Sequence, residues 1–405
     1  MKEKGRYEVP FSVKILDSDF NLVTPIYYDN LQWDREYNKV GKFVIDGVVG
    51  EYDRDKWKYV YTAERKEFGR ISQVNLKKSG GKRTLTISGL FVENELNKMI
   101  CYTKPSHFDD DAGTHYGTSV LSTNAPTWVT QEGNADVVAR AFFDGFKQIS
   151  FRNYLVGDFS GSTLVTKNFA LDIDFGSVES GTYNYAVHTR NNERLGDKLY
   201  NILKESKASY EVIFDYLNRT KTLNIIHGIN RTQTSHAYGV NPICFSMTNG
   251  SIKSVSMVSS DTDTKDVVLQ YAEDETQTLI LINAMSDSIG RFTAKSMSSN
   301  QSDFINDETV DFNQADKDHK LAVMADASLR LHELEDVVNI QFDFVNSSYR
   351  YIEDFELGDE VSVDLPELGI SLDTQIIACH EVIKQGVWSM TLEAGKAIIR
   401  KRGNV

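Results

Sequence analysis

The chain has 405 residues, 40% hydrophobic and 25% charged, with a formal net charge of −14. This is the composition of a globular protein long enough for roughly two to four domains. It excludes a standing nucleic-acid partner, because phosphate binding needs clustered Lys and Arg. It also excludes a helical membrane protein, since no run approaches the ~20 apolar residues that cross a bilayer.

Met1-Lys2-Glu3-Lys4-Gly5-Arg6 has no apolar stretch, so no secretory leader is expected and synthesis in a cytoplasm follows. Aromatic residues make up 11% of the chain, which favours strands and interfaces. The first hundred residues read as short strands. Tyr7 to Phe20 alternates loosely, Gly41 to Gly47 is an apolar strand between glycines, and Tyr59 and Tyr61 share one side of a strand over Trp57–Tyr61. Phe68–Val74 and Arg83–Leu90 flank a Lys78-Ser79-Gly80-Gly81-Lys82 turn and predict a hairpin. Strands at this spacing indicate a small barrel or sandwich. Cys101 follows, and with Cys244 and Cys379 it makes an odd, widely spaced set, expected to be reduced and in cores rather than in a disulfide or zinc site.

The middle third reads differently. His107, Asp109, Asp110, Asp111 and His115 form the most metal-like cluster, although an acidic solvent loop explains them as well. Asn134 is placed to cap a helix with Val137, Val138, Ala141 and Phe142 on one face. A second helix over Leu195–Leu203 turns Leu195, Leu199, Ile202 and Leu203 inward. Strands over Ser209–Leu217 and Thr222–Ile226 flank a turn at Asn218–Lys221, which makes an α+β unit. Strands resume over Val240–Thr248, Ser251–Val258, Asp266–Tyr271 and Thr278–Ile282, and Asp261–Asp266 reads as a turn rather than a calcium loop. A polar stretch from Ser286 to Gln314 precedes a helix over Ala315–Leu334. The end returns to strands over Val338–Val345, Glu360–Val363, Gln375–Ile383 and Val387–Glu393, with a basic, exposed tail from Lys396. Cys379 and His380 are neighbours on a strand, so they point to opposite faces and cannot pair as nucleophile and base. No HExxH, GxSxG or P-loop occurs, so no catalytic residue, metal or cofactor is assigned.

Two passages carry a resemblance. Trp33 and Tyr37, then Gly41-Lys42-Phe43-Val44-Ile45, Phe68-Gly69-Arg70-Ile71, Leu85-Thr86-Ile87-Ser88-Gly89 and Leu96 follow one another in order. Later come Tyr349, Tyr351, Asp354-Phe355-Glu356-Leu357-Gly358-Asp359 and Val361-Ser362-Val363. Both passages resemble the tail-tip and baseplate hub family of tailed bacteriophages, which includes the N-terminal structural part of tail-associated lysins. The structural signature is thus Gly41, Phe43, Gly69, Ile71, Gly89, Tyr351, Asp354, Phe355, Leu357, Gly358 and Asp359. Physical chemistry accounts for its second half: Gly358 permits a tight bend, Asp354 and Asp359 can accept hydrogen bonds from turn amides, and Phe355, Leu357, Val361 and Val363 share a face at period two.

The resemblance implies a β-rich α+β, multidomain fold. A first β-barrel would span 1–100, an α+β domain 101–236, a second β-barrel 237–285 with 338–405, and a small helix-containing insertion 286–337. It further implies a virion protein, not an enzyme, that forms a homotrimer of six similar barrels at the tail tip. Its expected partners are the distal tail protein, the tape-measure protein and receptor-binding or tip proteins, with DNA only in transit past an acidic lumen. Lysins of this family carry their enzyme in a long extension that this sequence lacks. A cell-wall hydrolase or a host-binding adhesin is the rival expectation.

Overall fold

The computed structural model describes residues 11–79, 82–101, 129–131, 135–156, 163–178, 185–187, 193–204, 206–260, 267–271, 280–284, 292–296, 337–346, 348–366 and 370–401. The chain divides into two compact units: 1–255 with 341–394 and 399–405, and 256–340 with 395–398.

The first unit opens with β1 (Lys14–Leu16), β2 (Leu22–Pro25), β3 (Asn30–Glu36), β4 (Lys39–Asp46), β5 (Tyr59–Tyr61), β6 (Gly69–Ser79) and β7 (Lys82–Phe91). They lie in the order β3-β4-β7-β6-β5-β1-β2. In β4 the period of two is plain: Gly41, Phe43 and Ile45 are buried, while Lys39, Lys42 and Asp46 are exposed. β6 and β7 form the expected hairpin and pair Ser79 with Lys82 across the turn. Trp33, Phe43, Phe91 and Ile87 fill the core under this sheet, each 2% exposed or less.

The C-terminal strands belong to the same sheet. Ile370–Lys384 runs antiparallel to β3, from Lys384 opposite Asn30 to Ala378 opposite Glu36. It also forms a hairpin with Glu360–Leu365, which in turn pairs in parallel with Cys244–Ser246. The two ends of the polypeptide are therefore joined edge to edge through β3. Among the described residues no ring of strands closes.

The α+β unit packs α1 (Ala135–Phe146) and α2 (Leu195–Lys204) with the antiparallel pair Ala208–Asp215 and Thr220–His227 in one core. Leu195, Leu199, Ile202 and Leu203 of α2 are buried. In α1 the buried stripe is Val138, Ala139, Phe142, Phe143 and Phe146, and Val137 is 37% exposed. Burying the two further phenylalanines turns the helix about one residue away from the expected face. The Asp215 carboxylate accepts from the amides of Leu217 (2.9 Å) and Asn218 (3.0 Å), so the turn closes early and the next strand starts at Thr220 rather than Thr222.

The second unit holds a three-stranded sheet. Its central strand, Val267–Tyr271, is antiparallel to Ile280–Ala284 and parallel to Phe292–Ser296. Phe292–Ser296 lies inside the stretch read as a polar interruption: Phe292, Thr293 and Ala294 alternate well enough to extend the sheet. Two further extents differ from expectation. The strand read over Val240–Thr248 is confined to Cys244–Ser246, and the last strand runs on to Lys401, into the segment read as an exposed tail. The 315–334 helix, the His107–His115 cluster and the Asp261–Asp266 turn fall outside the described residues.

Candidate functional site

The first signature passage is a close-packing device. Phe43 lies at the centre of β4, fully buried, with ring centroids 5.9 Å from Trp33 and 6.4 Å from Phe91. Gly69 of β6 and Gly89 of β7 lie against its ring, and a methyl at either would overlap it. At Gly89 the methyl would also strike the Arg70 carbonyl across the hairpin. Gly41 faces Phe91 in the same way, and Ile71 packs half-buried at the edge of this core.

The second passage is an interlock. Gly358 has φ +97°, and its missing side chain leaves room for the Tyr37 ring. The Asp359 carboxylate, almost fully buried, accepts from the amides of Ile229 (2.7 Å) and Glu356 (3.0 Å) and from Arg231 Nε (2.7 Å). Asp354 accepts from the Arg350 amide at 2.8 Å and closes the turn before Phe355. Phe355 is fully buried, between Phe245 (5.1 Å) and Phe344 (5.2 Å). Leu357 is only half-buried, because the Gly358 bend interrupts the period before Val361 and Val363 resume it. The Tyr37 hydroxyl lies 3.0 Å from the carbonyls of both Lys207 and Ile226, and the Ser209 hydroxyl donates to the Tyr37 carbonyl. Three distant segments thus close on one tyrosine.

Beside this interlock lies a buried ionic cluster. Arg35 on β3 donates to Glu67 (3.0 Å) and Glu381 (2.9 Å). Glu381, whose side chain is 0% exposed, also accepts from Arg65 Nε (2.9 Å), Arg65 Nη2 (2.5 Å) and Trp388 Nε1 (3.0 Å). Trp33 Nε1 donates to Glu67 at 3.2 Å. Burial opposes the Glu381 charge, but the Arg65 hydrogen bonds and the charges of Arg35 and Arg65 outweigh it and lower its pKa. Burial likewise works against the Arg35 charge, and Glu67, Tyr351 and Glu381 outweigh it. Arg35 stacks on the Tyr351 ring, 4.6 Å from its centroid, which links the two signature passages directly. Chemically the cluster holds a geometry: every oxygen of Glu381 is occupied, and the neighbouring Cys379 thiol is pushed up to about 12 by burial, so it is inert as a nucleophile. All three cysteines are free and buried.

A cavity of about 480 Å³ lies between these features, lined by Arg35, Tyr37, Gly41, Tyr351, Leu357 and Asp359 among others. Glu93 and Glu211 also face it. Among the described residues no group of three His, Cys, Asp or Glu side chains is placed to hold a metal.

Arg35, Glu67, Arg65 and Glu381 were not singled out from sequence. One signal was available: Arg35 alternates in phase with Trp33 and Tyr37, and Glu381 with Cys379, which marks charged residues on the inward face of strands.

This open sheet with its attached α+β unit is the fold of tail proteins. A tail protein from Neisseria meningitidis MC58 superposes with a TM-score of 0.53 at 12% identity, over 95% of this chain and 96% of that one. The 43 kDa tail protein of prophage MuSo2 from Shewanella oneidensis gives 0.52 at 8% identity, over 95% and 98%. No curated protein sequence matches. The family follows from sequence: the Siphovirus ReqiPepy6 Gp37-like protein model matches residues 12–396, and the chain belongs to that family of phage tail proteins.

Proposed function

We propose that this protein is the hub of a phage tail tip, a homotrimer that closes the tail tube, nucleates tail assembly and gates the passage of DNA. The observation that carries this reading is the edge-to-edge pairing of β3 with Ile370–Lys384, which sets the first and last portions of the chain side by side in one subunit. Each portion would complete a small barrel, so three copies would offer six similar modules to a six-fold tube. Membership of a phage tail family supports it. The partners under this reading are the distal tail protein, the tape-measure protein and receptor-binding or tip proteins. The net charge of −14 suits a lumen whose acidic wall repels passing DNA.

Copy number tests it. Quantitative mass spectrometry of purified virions should find three copies per tail, and the chain mixed with its distal tail protein should assemble with threefold mass. A monomer alone decides nothing, since assembly can require the partner. A virion copy number that is not a multiple of three refutes the proposal.

A further inference from the structure

The cavity holds two acids, Glu93 and Glu211, that lie outside its ion pairs. Of its other acidic groups, Glu36 is paired with Lys39, Glu67 with Arg35, Glu356 with Lys66, and Asp359 with Arg231. Glu93 is 6% exposed, accepts one hydrogen bond from the Val212 amide at 3.2 Å, and leaves Oε2 buried with no partner. Glu211 also faces the cavity, half-buried, and the Lys66 ammonium, whose charge acts on it, is hydrogen-bonded to Glu356. The cations on the wall, Arg35, Lys39, Lys66 and Arg231, are the partners in those pairs, and His227 is bonded to Asp136. Tyr200 and Tyr210 stack with centroids 4.0 Å apart, and Phe91, Ile225 and Ile229 add apolar surface to the lining.

We propose that this cavity binds an aliphatic diamine or polyamine, with one ammonium on the buried, unpartnered oxygen of Glu93, a second on Glu211, and the hydrocarbon chain against the tyrosine and isoleucine walls. A volume of about 480 Å³ suits a ligand of that size. Aromatic faces attract cations, and apolar walls shelter methylene groups. Burial pushes Glu93 up to about 8 and Glu211 up to about 7; neighbouring acids add to both, while the charges of Lys66 and Arg35 oppose the rise at Glu211. An arriving ammonium therefore has to expel a proton, which gives the proposal a signature that surface condensation lacks.

Titration calorimetry of the full chain with 1,4-diaminobutane and with spermidine, in two buffers of different ionisation enthalpy at pH 7, reads both affinity and proton release. Saturable binding is expected with release of about one proton per ligand. It should weaken about tenfold or more in Glu93→Gln and in Glu211→Gln. Gln keeps an acceptor for the Val212 amide, so the Glu93 variant should fold, and circular dichroism verifies this. Asp55→Asn, on an exposed turn, should bind as wild type. The proposal is overturned by no binding at millimolar ligand, by equal binding in all variants, by binding without proton release, or by magnesium chloride competing as well as the diamine.

Discussion

Glutamine at position 381 is the sharpest perturbation of the buried cluster. The shape is kept, but an amide NH₂ replaces an oxygen that accepts from Arg65 and Trp388, and the charge facing two guanidinium groups disappears. The remaining carbonyl still accepts from Arg35 and Arg65 Nε but carries no charge, Arg65 Nη2 loses its acceptor, and Glu67 is the one carboxylate left to Arg35. Breaking one side of a buried ion pair costs about 3–5 kcal/mol, mostly because the remaining charge stays desolvated. At roughly 2 °C per kcal/mol for a unit of this size, the melting midpoint should fall by roughly 6–10 °C. Differential scanning fluorimetry with a urea titration measures it. The loss should shrink on acidification. The folded Glu381 pKa lies below its ordinary value of 4.5, so its contribution is complete above that pH and disappears as pH falls through the folded value. A double variant with Arg35→Met should lose clearly less than the two single losses together, because it removes the stranded charge. A fall of less than about 1 kcal/mol in Glu381→Gln at pH 7, or strict additivity with Arg35→Met, would refute the argument.

Three further outcomes follow from the same region. Gly358→Ala must hold a positive φ and overlap Tyr37, and should cost about 3 kcal/mol or more, read from urea midpoints; a neutral result would show that the bend is free to relax. Tyr37→Phe keeps the ring under Gly358 but removes the hydroxyl shared by the Ile226 and Lys207 carbonyls, of which Lys207 keeps Gln375 Nε2 as a donor, a loss of about 1 kcal/mol in the same assay. Glu93→Gln should be nearly neutral near pH 5 and increasingly stabilising toward pH 8: the folded acid keeps its proton up to about 8 while the unfolded one releases it near 4.5, so wild-type stability falls with rising pH across that window and the variant's does not. Unfolding free energies of both proteins from urea titrations between pH 5 and 8 should diverge by up to a few kcal/mol, and parallel curves would contradict the buried protonated acid.

Legibility followed the range of each interaction. The β6–β7 hairpin, the α2 stripe and the Gly358 bend rest on periodicity and turn chemistry within a dozen residues, and a local reading finds them. The α1 face was read about one residue off, because Val137 and Phe143 compete for the core and only tertiary packing chooses between them. For the ionic cluster the phase of Arg35 and Glu381 marks each as an inward charge, but they are 346 positions apart and nothing local pairs one with the other. The edge pairing of β3 with Ile370–Lys384 was missed for the same reason: a strand carries no mark of its partner.

That pairing explains why charge is buried there at all. Apolar faces alone set the register between β3 and Ile370–Lys384 only to within two residues, since a slip of two keeps every side chain on its own face. In the observed register Glu381 is opposite Trp33 and Cys379 is opposite Arg35. From there Glu381 reaches Arg35 and Arg65, and the Trp388 indole closes over it. A slip of two in either direction would carry the carboxylate about 7 Å along the strand. It would strand the buried Glu381 and Arg65 and leave Arg35 with Glu67 alone, at a cost well above that of a mispacked leucine. Hydrophobic residues of equal volume would pack as tightly and would leave the slipped pairing open. Arg35 and Glu381 are 346 positions apart, so the two strands meet only after a long stretch of chain has been made, and a register enforced by charge is worth more here than the stability an apolar substitute would add.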